Sequence, residues 1–136
     1  SNYNVTFTYL NTYVNFCWRG GKDTYSQSMV LTANVTDKLQ YIAQSDVLDA
    51  TDNPNAGQTE TIGINQYLIY AYSDIIGIGG RCEWWKQDGT SYNEITGGVN
   101  IKALSNLVFR PEVRHDWSPA GDIDQTAVAI DAILTY

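Results

Sequence analysis

The chain has 136 residues, enough for one domain with a sizeable core, and no apolar run approaches the roughly 18 consecutive residues of a membrane-spanning helix, which excludes a helical membrane protein. A formal net charge of −7 with no basic run argues against nucleic acid as a partner. Ten Tyr, four Trp and eleven Gly against one Met and three Pro make a β-rich, aromatic-rich balance.

Turn signals predict nine strands, near 3–9, 13–19, 25–34, 38–48, 61–72, 75–87, 92–102, 106–117 and 125–136. Asn11-Thr12, Thr36-Asp37, Ser73-Asp74 and Ala103-Leu104-Ser105 read as tight turns. Between them lie Gly20-Gly21-Lys22-Asp23, the 49–60 stretch rich in Asp, Asn and Gly, then Asp88-Gly89-Thr90 and Ser118-Pro119-Ala120-Gly121, mostly longer and polar. Short turns at one end and longer loops at the other describe an all-β, antiparallel up-and-down meander with two inequivalent ends. Ser1 in place of an initiator Met fits a processed or truncated chain.

The last predicted strand alternates strictly, with Val128, Ile130, Ala132, Leu134 and Tyr136 on one side. Such a strand meets either a core, as the edge of a soluble sandwich does, or lipid. A terminal aromatic below an alternating apolar row is what the barrel-insertion machinery of diderm bacteria reads. The aromatics favour lipid. Trp18, Trp84, Trp85 and Trp117, with Tyr25 and Tyr92, fall toward the long-loop end; Tyr9, Tyr13, Tyr41, Tyr72 and Tyr136 fall toward the short-turn end. Rings with an apolar body and a polar tip settle at the headgroup level, so two belts around an apolar band mark a membrane-spanning barrel, with Trp18, Trp84, Trp117 and Tyr136 as interface anchors. Lys86 and His115, which alternation puts on the apolar side, also lie near the long-loop end.

The other side carries charge. Between Asn106 and Trp117, Leu107, Phe109, Val113 and Trp117 point one way, and Arg110, Glu112, Arg114 and Asp116 the other. Four charges on one side of one strand cannot face lipid, where a basic residue at mid-depth costs about 2–4 kcal/mol. The same alternation adds Arg81, Glu83, Glu94, Lys102 and Asp131 to that side, either as a pore lining or as a structural ladder of Arg–carboxylate pairs.

Other motifs weigh little. Gly77-Ile78-Gly79-Gly80 is not followed by a helix that could bind phosphate, and His115, the single His, lacks metal-binding partners. Asp46, Asp49 and Asp52 with Asn53 and Asn55 could gather oxygens around Ca²⁺, although their spacing is not that of a calcium loop. Cys17 and Cys82 lack CxxC spacing, and a disulfide between them is the lesser expectation. No catalytic constellation, metal site or cofactor is expected.

The runs Gly97 to Lys102, Asn106 to Trp117 and Asp131 to Tyr136 resemble the C-terminal strands of the β-barrel porin family described as OmpL-like, found in planctomycetes and related bacteria. Leu39-Gln40-Tyr41 through Asp46, Gly63 to Leu68, and Arg81-Cys82-Glu83-Trp84 resemble its upstream strands. The likeness covers most of residues 25–136, and Arg110-Pro111-Glu112-Val113-Arg114 is its most specific part. His115 stands where the family pattern has Tyr, and Cys82 where it has an aromatic or aliphatic residue. The resemblance implies a transmembrane β-barrel of the bacterial outer membrane that lets small hydrophilic solutes or ions diffuse, with membrane lipid as a partner and room for a homo-oligomer. The rival expectation is a non-conducting barrel that serves as scaffold, adhesin or surface-layer partner through the 49–60 loop.

Strand parity completes the expectations. Nine strands would leave Ser1 on the external side, which single-chain bacterial barrels avoid. Either residues 3–19 form one long strand and eight strands close a small barrel, or the chain is the C-terminal portion of a wider barrel, the preferred reading.

Overall fold

The computed structural model describes residues 4–15, 23–49 and 60–135. They form eight strands: β1 (Asn4–Asn15), β2 (Asp23–Asn34), β3 (Leu39–Asp49), β4 (Glu60–Ala71), β5 (Ile76–Gln87), β6 (Thr90–Leu104), β7 (Leu107–Ser118) and β8 (Ile123–Leu134). All neighbours pair antiparallel in sequence order, a single eight-stranded meander. β1 and β8 do not pair with each other, so the sheet is open.

The expected turn at Asn11-Thr12 does not exist. Asn11 pairs with Gln27 and Thr12 with Ser26 inside one unbroken β1–β2 ladder. The reason is readable in the sequence: Val5, Phe7, Tyr9 and Tyr13 share one parity, so the alternation runs through the supposed turn without a change of phase. Asn-Thr also lacks the Gly that helps a two-residue hairpin reach positive φ. Eight strands replace nine, and β1 begins and β8 ends at the same end of the sheet, where Asn4 pairs with Asn34 and the Thr135 amide donates to the Asn106 carbonyl at 2.9 Å.

That end is made by hydroxyl-capped turns. Thr36 Oγ1 accepts the amides of Lys38 (3.2 Å) and Leu39 (3.0 Å), and Ser73 Oγ accepts those of Ile75 (3.3 Å) and Ile76 (3.0 Å). At the opposite end the expected longer loop at Asp88-Gly89-Thr90 is a two-residue hairpin, with φ of 46° at Asp88 and 88° at Gly89 and Thr90 already paired to Gln87. Positive φ at both central residues is what Asp-Gly supplies. The predicted loops at 20–23 and 49–60 fall largely on residues 16–22 and 50–59, outside the described residues.

Among the described residues, nothing packs over either face. Among the residues whose side chains are described, only Glu94 and Ser118 are buried. A soluble sandwich of this length would hide its apolar side chains between layers. Here Val128 is 79 % exposed, Ile130 71 % and Phe7 63 %.

Candidate functional site on the charged face

Cross-strand partners in an antiparallel sheet share a face, so the register assigns every described side chain. One face carries Val5, Phe7, Leu31, Ile64, Leu68, Ile78, Ile95, Phe109, Val113, Val128 and Ile130. Two pairs of its polar side chains bond to each other: Tyr25 donates to Gln27 at 2.7 Å and Tyr41 to Gln66 at 3.0 Å. Lys86 and His115 sit on it near the end of the sheet at Asp88-Gly89, and His115 stacks on Trp117 with ring centroids 5.5 Å apart.

The other face gathers Arg81, Glu83, Glu94, Arg110, Glu112, Arg114, Asp116 and Asp131, together with Lys102. Two adjacent rows matter most. Glu83, Glu94 and Asp116 lie directly opposite one another across β5, β6 and β7. Like charges in that position repel. The next row, Arg81, Thr96 and Arg114, resolves the conflict diagonally. Arg81 Nε donates to Glu94 Oε1 at 2.9 Å, with its Nη2 on the same oxygen; Arg114 Nε reaches Glu94 Oε2 at 3.3 Å; and Thr96 Oγ1 donates to Oε1 at 2.7 Å. Arg114 Nε also donates to Asp116 at 2.9 Å, and Gln125 Nε2 adds a bond to Asp116 at 3.3 Å. Glu94, 9 % exposed, is therefore shared by two guanidiniums, which offsets the cost of burying a carboxyl group. Toward the short turns, Arg110 holds Asp131 in a two-bond fork, its Nε donating at 2.8 Å. Glu83, Glu112 and Lys102 make no ion-pair contact among the described residues.

Glycines open space beside these groups. Gly79 pairs with Gly98, and a cleft of about 370 Å³ extends from them to Arg81, Arg110 and Glu112. At this level Val99 and Asn100 drop out of the β6–β7 ladder opposite Pro111, which has no amide to donate, and pairing resumes in the same register at Ile101 and Phe109. A second cleft of about 450 Å³ lies over Arg81, Glu83, Trp85, Tyr92 and Glu94.

The aromatic belts need correcting. Trp84 and Trp117 lie on the apolar face near the end expected, but Trp85 and Tyr92 lie on the charged face. Parity shows why: Trp85 is in step with Arg81 and Glu83, and Tyr92 with Glu94. Loss of the Asn11 turn also moves Tyr9 to mid-strand, opposite Met29, and puts Tyr13 opposite Tyr25 in the other half of the sheet. The tyrosines that lie toward the short turns are Tyr41, Tyr70 and Tyr72, of which sequence reading missed Tyr70. Trp18, Tyr136 and Cys17 lie outside the described residues, and Cys82 is free and exposed on the apolar face. The expected oxygen cluster loses its start, since Asp46 and Asp49, three positions apart on β3, point to opposite faces; Asp52, Asn53 and Asn55 lie outside the described residues.

An antiparallel meander with one apolar and one polar face on its strands, and almost nothing buried, has the fold of a transmembrane β-barrel protein. The family model described as "Putative beta-barrel porin-2, OmpL-like" matches residues 1–135, essentially the whole sequence, and the chain belongs to that family. No curated protein and no solved structure matches it.

Proposed function

We propose that this sheet is a section of the wall of a bacterial outer-membrane pore through which small hydrophilic solutes or ions diffuse passively. Its apolar face lies against lipid, and the face of Arg81, Glu83, Glu94, Arg110, Glu112, Arg114, Asp116 and Asp131 lines the water. The observation that carries the reading is the segregation of charge: on β5–β8 the mid-strand charged side chains share one face, while the other exposes Ile78, Val113, Val128 and Ile130. Lipid solvates the second and expels the first. The open edges of β1 and β8 fit a wall that further strands complete, since an unpaired edge in hydrocarbon leaves its amides and carbonyls without partners.

In this reading the ion pairs serve two ends at once. They hold register across β5–β8, and they leave a hydrated, charged surface that biases which ions pass. Single-channel recording of the purified protein in a planar bilayer tests the proposal. Discrete conductance steps are expected; folded, inserted protein that leaves the bilayer silent would turn the reading to a non-conducting scaffold or adhesin.

A further inference from the structure

We propose that the cleft lined by Trp85, Tyr92 and Glu83 is a docking subsite for organic cations bearing N–H donors, an inference that rests on the pore reading and names a solute class for it. Trp85 and Tyr92 are direct cross-strand partners with ring centroids 5.0 Å apart and planes tilted by 31°. They stand on the charged face, one position along each strand's face from Glu83 and Glu94, and not on the face that would meet lipid. Aromatic π-faces beside water and carboxylates attract cations.

Charge balance points the same way. Around this cleft two guanidiniums, Arg81 and Arg114, stand against three carboxylates, Glu83, Glu94 and Asp116, a balance of 2 − 3 = −1. Both guanidiniums are committed to Glu94 and Asp116, and Glu83 makes no ion-pair contact. The missing charge is one cation, and its place is at Glu83.

Hydrogen bonding narrows the contact to Glu83. Asn65, the direct partner of Glu83 on β4, holds its Oδ1 buried with no hydrogen-bond partner. Glu83, Asn65 and Trp85 also border a neighbouring cleft of about 480 Å³. The Asn65 oxygen is closed to solvent, so the acceptor an ammonium group can reach is the Glu83 carboxylate, with its alkyl stem along the Trp85 ring. An anion would meet the net negative balance, and a neutral solute would leave that balance unchanged.

The probe is spermidine, titrated into the folded protein in detergent micelles with tryptophan fluorescence as readout, and added to single channels in potassium chloride as a blocker. Saturable binding and block are expected. Glu83→Gln, which neutralises an unpaired acid and leaves the Arg81–Glu94–Arg114 contacts intact, should weaken both by about tenfold, and Trp85→Leu by about fivefold. Glu83→Asp, which keeps the charge, should stay near wild type. Spermidine binding that is unchanged in Glu83→Gln, or absent from a wild-type protein that conducts, overturns the subsite. Saturable, Glu83-dependent binding in micelles by a protein that never conducts keeps the subsite and sinks the pore.

Discussion

The polar face of β1–β4 is built mainly from Thr6, Thr8, Ser28, Thr32, Gln44 and Asn65, with Asp46 as its mid-strand charge, whereas that of β5–β8 carries Arg81, Glu83, Glu94, Arg110, Arg114 and Asp131. Both surfaces suit water, yet they depend on register differently. A hydroxyl or amide tolerates any polar neighbour, because it donates and accepts. A carboxylate opposite a carboxylate does not, so the charged half stands only while Arg81 and Arg114 keep Glu94 diagonally and Arg110 keeps Asp131 directly across. The half with most charge is thus the half in which a one-residue slip is most costly.

The comparison between the two faces of the sheet gives the largest expected effect. Val128→Arg, on the apolar face of β8, should cost about 2–4 kcal/mol of folding stability in lipid vesicles, while Ala129→Arg, one residue along and on the polar face, should cost little. Denaturant titration of the vesicle-inserted proteins measures both. Equal penalties at the two positions would break the lipid assignment.

Within the polar face, Glu94→Ala strands Arg81 and leaves Arg114 with Asp116 alone, and the loss of charge-assisted bonds should destabilise the protein by about 1.5–3 kcal/mol. Thr32→Ala, in the neutral half, should stay within about 0.5 kcal/mol. Similar losses from both would mean that the two halves do not differ in the way argued. Replacing Arg110 and Arg114 together by Gln removes positive charge from one half alone. The reversal potential in a salt gradient should then move toward cations, with a permeability ratio changed by about twofold. An unmoved potential with conductance intact would make the ladder structural.

Much of this was legible in the chain because period-two alternation reports faces directly. β3–β8 fall within two residues of their predicted limits at each end, and the charges of β7 sort as alternation requires. What escaped was of two kinds. Trp85 and Tyr92 were readable by parity with Glu83 and Glu94, but belt position along the strand drew attention away from the face. Glu94's place between two arginines was not readable, since it depends on the register of β6 against both neighbours and on no local signal. Nor does any residue of β1 or β8 announce an open edge.

The smallest effect tests how tightly the charged half is fitted. Gly79 and Gly98 are partners on the same face, and a helpful or neutral outcome would be expected for alanine at both if only strand propensity mattered. Their surroundings differ. A Cβ on Gly79 would meet nothing within 4 Å, whereas one on Gly98 would lie 3.2 Å from both the Glu112 Cβ and the Pro111 carbonyl oxygen. Pro111 cannot restore a ladder bond there, so β6 and β7 already lack the pairing of Val99 and Asn100 that would absorb a shift. Gly98→Ala should therefore lower stability by about 1 kcal/mol while Gly79→Ala stays within about 0.5 kcal/mol. Denaturation midpoints in the same vesicles read the difference. If Gly98→Ala is as silent as Gly79→Ala, β7 moves aside freely at Pro111, and the tight fit of the charged half ends at the Arg81–Glu94–Arg114 network.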